Sequence, residues 1–412
     1  MDIYQKLGVQ PIINCATTYT RLGGSIMAPH VAQAMADSAG AFVNVFDLQE
    51  AVGKRLAELT GNEAAYVSNG AAAALALATA AAITGDDIAL MARLPNDLDG
   101  MKNQVVVHRT QRNWYDIAVR MTGIELVEIG HIMETYPWEL DDAINERTAA
   151  VLYFTGSHLN RNSLPLEYVI ERAHARGVPV IVDAAAQLPP VSNLWHFTRN
   201  LGADVAIFSG GKMLHGPQNS GLTVGTTKMI EAMRLNGPPV QRIGRPMKVS
   251  KEAMIGLLTA VESYLETDHA AEALEWETVV ANWQDAWQEM APRWLTVERS
   301  ATGEAGEPIP RILMRVSLDA PLSRDVLIAD LRAGKPPIEV VVENESTIAF
   351  SPHLLRTGEA EIVERRVAEL IASHCSRSPL GPSQGTRLNA TNLLRCERTP
   401  PTRCTTPANR SN

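Results

Sequence analysis

The stretch VAIFSGGKMLHGPQNSG, residues 205–221, decides the reading of this chain. Four apolar residues, Val205–Phe208, empty directly into Ser209-Gly210-Gly211-Lys212. A short unbroken apolar run reads as a strand buried on both faces, so the lysine stands at a strand's carboxyl end. Glycines beside it allow a bulky planar group to approach the backbone. Working outward, further apolar runs occur at 64–67, 88–92, 105–107, 126–129, 149–154 and 178–182, each taken as a strand. Between them lie amphipathic stretches such as 166–175, which stops at Arg176-Gly177. Strands alternating with helices predict an α/β fold with a mainly parallel sheet, whose ligands bind at the carboxyl ends of the strands.

That rule gives Lys212 a partner. The run 178–182 leads straight into Asp183, followed by Ala184, Ala185 and Ala186, which leave room for a flat ring. A lysine that can hold an aldehyde and a carboxylate for a pyridinium nitrogen are the two groups pyridoxal phosphate (PLP) needs. A third element, Ser68-Asn69-Gly70-Ala71-Ala72, lies between a strand and an Ala-rich helix. Free N–H groups at such a helix start suit a phosphate, and the Ser209 hydroxyl can add to them. Taken alone the turn is weak, since many Asn-Gly caps bind nothing. No GxGxxG or P-loop pattern is present, which removes the usual support for nucleotide binding.

In this order the three elements match a fold-type-I PLP enzyme, and the sequence resembles the selenocysteine synthase (L-seryl-tRNA selenium transferase) family, in which D-glucosaminate-6-phosphate ammonia-lyases are found. The resemblance runs from about Leu7 to Leu370. It is carried by INCATTYTRLGGS (13–25), YVSNGAAAAL (66–75), QRNWYDIAVRMTG (111–123), VIVDAAAQ (180–187), SGGKMLHGPQNSG (209–221) and GRPMKVSKE (244–252). It implies an aspartate-aminotransferase-like fold, PLP on Lys212, Asp183 at the ring nitrogen, Ala185 against one ring face, and a homodimer or higher oligomer with sites near subunit interfaces. The other ring face would be covered from the stretch HRTQRN, by Gln111, where relatives often carry histidine, or by His108. His353 stands where relatives commonly show arginine, with Arg356 a substitute for anion recognition.

Arg245, before a long helix at 249–266, has the guanidinium fork for a substrate carboxylate or phosphate. Thr20 and Arg21 of the N-terminal arm, and His158 and Arg161 after the strand 149–154, are further candidates of lower weight. The seven tryptophans read mostly as helix packing. No metal site is expected.

The 412 residues divide into an arm (1–45), a large PLP-binding domain (46–246), and a linker helix with a small α/β domain (247–373). In the small domain, strands are expected at 311–316, 338–342 and 347–350, with a closing helix at 358–373. Residues 374–412 read as an unstructured basic tail; without residues 375–412 the body carries 31 basic and 45 acidic residues. An acidic body repels phosphate backbones, so nucleic acid is not the expected partner. Four cysteines without a CxxC pair, no secretion signal and no apolar span of membrane length predict a cytoplasmic protein with no membrane contact.

The expected reaction is a lyase that eliminates from a small amino acid or amino-sugar acid to give a 2-keto acid and ammonia. Lys212 would take the α-proton, and Asp183 would support the carbanion through the ring. Racemisation, aldol cleavage, transamination, selenium transfer to seryl-tRNA and non-catalytic PLP binding remain as alternatives.

Overall fold

The computed structural model describes residues 3–156 and 158–375; the expected tail, beyond its first two residues, lies outside them. The arm contributes a two-residue strand, β1 (Ile13–Asn14). A seven-stranded sheet follows, made of β2 (Ala64–Ser68), β3 (Gln104–His108), β4 (Glu125–Ile129), β5 (Thr148–Phe154), β6 (Val180–Asp183), β7 (Val205–Ser209) and β8 (Gly221–Gly225). Its order is β2-β8-β7-β6-β5-β3-β4. All are parallel except β8, which runs against both neighbours.

The apolar runs are continuous because both faces are covered. Val106, Val151, Val182 and Phe208 join one apolar layer, while Val105, Leu152, Ile181 and Ile207 join the other. That is the two-residue alternation of a strand with no wet face. The helix Ala71–Thr84 is apolar all round and lies in the second layer, as such a helix must. Gly177 and Gly61 end their helices in left-handed conformations, at φ 66° and 65°.

The linker helix Lys251–Glu266 packs on the arm helix Pro29–Ala39 and on the helix Val45–Thr60. Beyond it, β9 (Leu295–Ser300), β10 (Arg311–Val316), β11 (Ile338–Glu339), β12 (Val341–Val342) and β13 (Thr347–Phe350) complete the strands. Four of these form an antiparallel sheet ordered β12-β13-β10-β9, and β11 pairs in parallel with β1. The arm is thereby tied into the second unit. Trp283 and Trp287 stack at 5.2 Å in this unit's core, and their indole N–H groups donate to the Ala360 and Glu364 carbonyls of the closing helix Glu359–Cys375.

Several expectations are corrected. Residues 88–92 belong to a helix, Ile88–Arg93, because the Asp87 side chain accepts the Ala89 and Leu90 N–H groups and caps it. The strand expected at 178–182 begins at Val180, and 338–342 is two strands with different partners. β8 and β9 were not foreseen. Trp114 and Trp138 are exposed rather than packed. No helix among the described residues is long and apolar enough to cross a membrane.

Candidate active site

Three parallel strands deliver the chemistry to one edge. Phe154 at the end of β5 stands beside Asp183 at the end of β6, which stands beside Ile207 of β7. Backbone bonds extend the ledge past the strands: Thr155 N–H donates to Asp183 O (3.0 Å), Ala184 to Ile207 (3.0 Å) and Ser209 to Ala185 (3.3 Å). Because β8 is antiparallel, its first residue Gly221 lies at this same edge, between Ser68 and Ser209. Two strand spacings put the turn after β2 and the Ser209 end of β7 about 10 Å apart. Gly221 has no side chain, which lets the turn pack directly on it: a Cβ there would stand 2.6 Å from Gly70 C.

The loop 209–221 folds back tightly. Gly210 N–H donates to Ser220 O and Gly216 N–H to Gly210 O, both at 2.8 Å. A Cβ on Gly211 would overlap the Gln218 backbone. Lys212, held by this loop, is partly buried and lines a cavity of about 370 Å³, within the range of ligand sites. Asp183, Ala185, Ser209 and Thr155 line it on the sheet side, and Gly70 and Ala71 at the start of the helix Ala71–Thr84. The arm residues Thr17–Thr20, the β9–β10 loop residues Glu304, Ala305 and Glu307, and His353 close it from above. Thr20 O accepts from Gln218 Nε2 at 3.0 Å, which straps the arm to the lysine loop.

Burial pushes the Asp183 carboxyl up, opposed by the Ala185 N–H it accepts at 2.9 Å and by the Lys212 charge. Burial pushes the Lys212 ammonium down, opposed by Asp183, Glu304 and Glu307. A lysine so lowered more readily offers the free amine that attacks a carbonyl or takes a proton. His353 Nδ1 bonds Ser351 Oγ at 2.8 Å, and burial, with His215 nearby, holds its imidazole neutral, down to about 3.

The cavity thus brings together Lys212, Asp183, Ala185, Ser209, Gly70, Ala71, Thr20, His353 and His158 from the sequence candidates. It does not include the others. Ser68 is buried behind its turn, its Oγ donating to Gly70 O (2.9 Å) and Gly221 O (3.3 Å), and Asn69 does not line the cavity. Gln111 is fully buried, accepting from Phe154 N–H and donating to Ser163 Oγ, both at 3.1 Å. His108 is fully buried too, its Nε2 accepting the Leu164 N–H at 3.2 Å and its ring edge-on to Tyr153. Neither can cover a ring in the cavity; Asn113 and Tyr115 from the following turn line it instead. Arg161, Arg245 and Arg356 are exposed and outside the lining. Arg356 is engaged with Glu359 at 2.6 Å, and Arg21 with Glu339 at 3.3 Å.

Sequence reasoning missed Thr155 and Glu307. Thr155 was within reach, since it follows β5 as Asp183 ends β6. Glu307 arrives on a loop of the other unit with no local signature.

Comparison with known proteins decides the lineage. The family model described as SelA, L-seryl-tRNA selenium transferase, matches residues 115–305. D-glucosaminate-6-phosphate ammonia lyase of Salmonella typhimurium (strain 14028s / SGSC 2262) is 34% identical over 383 residues, 91% of this chain and 99% of that protein. The chain belongs to the SelA family. The 5'-C-glycyluridine monooxygenase-decarboxylase of a Streptomyces species is 35% identical over 90% of this chain and 92% of its own. The L-seryl-tRNA(Sec) selenium transferase of Desulfotalea psychrophila (strain LSv54 / DSM 12343) is 29% identical over 62% of this chain and 56% of its own. The solved structure of a D-glucosaminate-6-phosphate ammonia-lyase superposes with a TM-score of 0.78 at 33% identity, covering 91% of this chain and 99% of that one. A serine palmitoyltransferase from S. paucimobilis with bound PLP shares the fold at a TM-score of 0.56 and 14% identity, over 89% of each chain. The SelA-family chain thus has fold type I of the PLP-dependent enzymes.

Proposed function

We propose that this SelA-family chain is a PLP-dependent lyase that converts an amino acid or amino-sugar acid to a 2-keto acid and ammonia. One observation carries it: Lys212, Asp183 and the Gly70–Ala71 helix start, on three separate chain segments, meet in one cavity at the carboxyl edge of the sheet. The residues fit the cofactor. The Gly70–Ala71 helix start and Ser209 line the cavity where a phosphate would sit, and Asp183 keeps one oxygen for a ring nitrogen after Oδ1 takes the Ala185 N–H.

When bound, PLP supplies an electron sink for the bond broken at the substrate's α-carbon. Lys212 would hold the cofactor through its amine, and its Nζ is the group placed to take the substrate's α-proton. The Asp183 carboxylate holds a proton on the ring nitrogen. Gly70 and Ala71 N–H groups and Ser209 Oγ would hold the phosphate, and the small Ala185 methyl would leave room for the ring. With a β-hydroxyl on the substrate, loss of the α-proton and hydroxide followed by return of water releases ammonia and a 2-keto acid without an oxidant. Thr17–Thr20 and the Glu304–Glu307 loop limit water above the site.

A second reading, oxygen-dependent decarboxylation, is favoured by the equal likeness to the Streptomyces protein. Visible absorption of the PLP-loaded protein, assayed with D-glucosaminate and its 6-phosphate for keto acid, ammonia and oxygen uptake, separates the two. Equimolar keto acid and ammonia with no oxygen consumed supports the lyase; oxygen uptake with carbon dioxide release supports the rival.

The reading also divides the chain into an arm (1–45), a large domain (46–246) and a small domain (247–373), supported by the separate seven- and four-stranded sheets. A cytoplasmic homo-oligomer fits the sparse cysteines and exposed apolar residues such as Phe42, Phe46, Trp114 and Tyr115.

A further inference from the structure

The Lys212–Asp183 chemistry leaves one wall of the cavity unused. Glu307 lines the cavity, is 7% exposed, and its Oε2 is buried without a hydrogen-bond partner. The loop that presents it is built for the purpose. Gly303 and Ile309 N–H groups both donate to Glu307 O at 2.8 Å, and Gln187 Nε2 donates to Ala305 O at 3.1 Å, tying the loop to the segment after β6. A Cβ on Gly303 would overlap the Glu307 carboxyl, so glycine makes its place. Thr155 also lines the cavity, and its Oγ1 is likewise buried and unpartnered. Buried polar atoms without partners cost free energy, and a ligand that supplies hydrogen-bond donors removes that cost.

The charge around the cavity points to the ligand's class. Among the described residues that line it there is no arginine, and Lys212 is the one lysine, against the carboxyls of Asp183, Glu304 and Glu307. The nearby cation Arg311 is engaged elsewhere, by Glu343 and by the Thr302 carbonyl at 2.7 Å. With Lys212 and Asp183 committed to the reacting end, the far end of a substrate meets Glu304 and Glu307. A phosphate or second carboxylate beside Glu304 and Glu307 would face like charge, with no arginine among the described lining residues to offset it, an arrangement that selects against a further anion at that end.

Building on the lyase reading above, we propose that Glu307 is the specificity-determining residue for the substrate's far end, accepting from a hydroxyl or protonated amine, so that the substrate is an amino acid unphosphorylated at that end. Glu304 adds negative charge at the mouth, and Thr155 adds a hydroxyl beside the reacting end.

D-Glucosaminate and D-glucosaminate 6-phosphate differ only in the group at issue. PLP-loaded wild type and the isosteric variant Glu307→Gln are titrated with each, reading Kd by calorimetry and the visible cofactor band in parallel. Wild type is expected to bind the unphosphorylated acid about tenfold tighter or more, and Glu307→Gln to narrow that gap at least threefold. Tighter binding of the 6-phosphate by wild type overturns the proposal, as does a preference that Glu307→Gln leaves unchanged. The band distinguishes the two levels of failure. A PLP band that shifts with ligand but without the predicted preference defeats only the role of Glu307, whereas no PLP band at all defeats the lyase reading beneath it.

Discussion

Gly221→Ala tests the cradle on which cofactor binding depends. Gly221 is paired with Ser68 on one side and Ser209 on the other. A Cβ there would stand 2.6 Å from Gly70 C, 2.7 Å from Ser68 Oγ and 2.8 Å from Gly70 O, closer than side chains pack. The turn must retreat by about 0.8 Å to reach ordinary van der Waals contact. Overpacking of this kind costs about 1–3 kcal/mol. Relief of the strain moves Gly70 and Ala71 away from Ser209, and a bound phosphate must reverse that movement. If the strain falls mainly on the PLP-bound form, affinity for PLP drops about tenfold to about a hundredfold. Fluorescence titration of the cofactor-free protein gives the Kd, and thermal unfolding of the same samples gives stability. Gly225→Ala is the control: it overlaps the Asp204 carbonyl at the opposite end of β8 and should lower Tm while leaving PLP affinity unchanged. PLP binding by Gly221→Ala as tight as by wild type would refute the cradle.

Three further outcomes follow from the same geometry. Lys212→Ala should lower turnover by at least about 10²–10⁴-fold, the worth of a positioned general base; near-normal turnover would remove the lysine from the mechanism. Asp183→Asn should lower kcat by about 10²-fold or more while leaving the far-ultraviolet spectrum intact, and unchanged kinetics would refute its assignment to the ring. His108 concerns stability: burial pushes its imidazole down to about 4, whereas the unfolded chain takes the proton near 6.5. The unfolded state therefore binds the proton first, so the contribution is complete above pH 6.5 and declines as pH falls to about 4, by about 3 kcal/mol in all. His108→Gln, whose amide oxygen can still accept the Leu164 N–H, should lose that slope; urea melts of the two proteins that fall in parallel from pH 7 to 4 would contradict it.

What the sequence could reveal depended on how local its cause was. β5, β6 and β7 were legible because strands buried on both faces need unbroken apolar runs, and Asp183 and Lys212 were legible because they stand where those runs stop. β8 was hidden because glycines bracket it, and Gly221 is demanded by the turn after β2, a contact 153 residues distant. The run at 88–92 has no period that separates strand from helix, and the Asp87 cap decided it. His108 and Gln111 sit beside the site in sequence, yet their polar atoms bond to the Leu164 and Phe154 N–H groups in the core. Glu307 reaches the cavity only when the two units close on each other, and no spacing in its own segment announces it.

The claim beneath all of this is that Lys212 is the residue that holds PLP. Borohydride reduction of the PLP-loaded protein, digestion and mass spectrometry of the peptides test it directly. The account predicts one stoichiometric pyridoxyl label, on Lys212, and none in Lys212→Ala. A label on another lysine, or no stable label in the wild type, would contradict it.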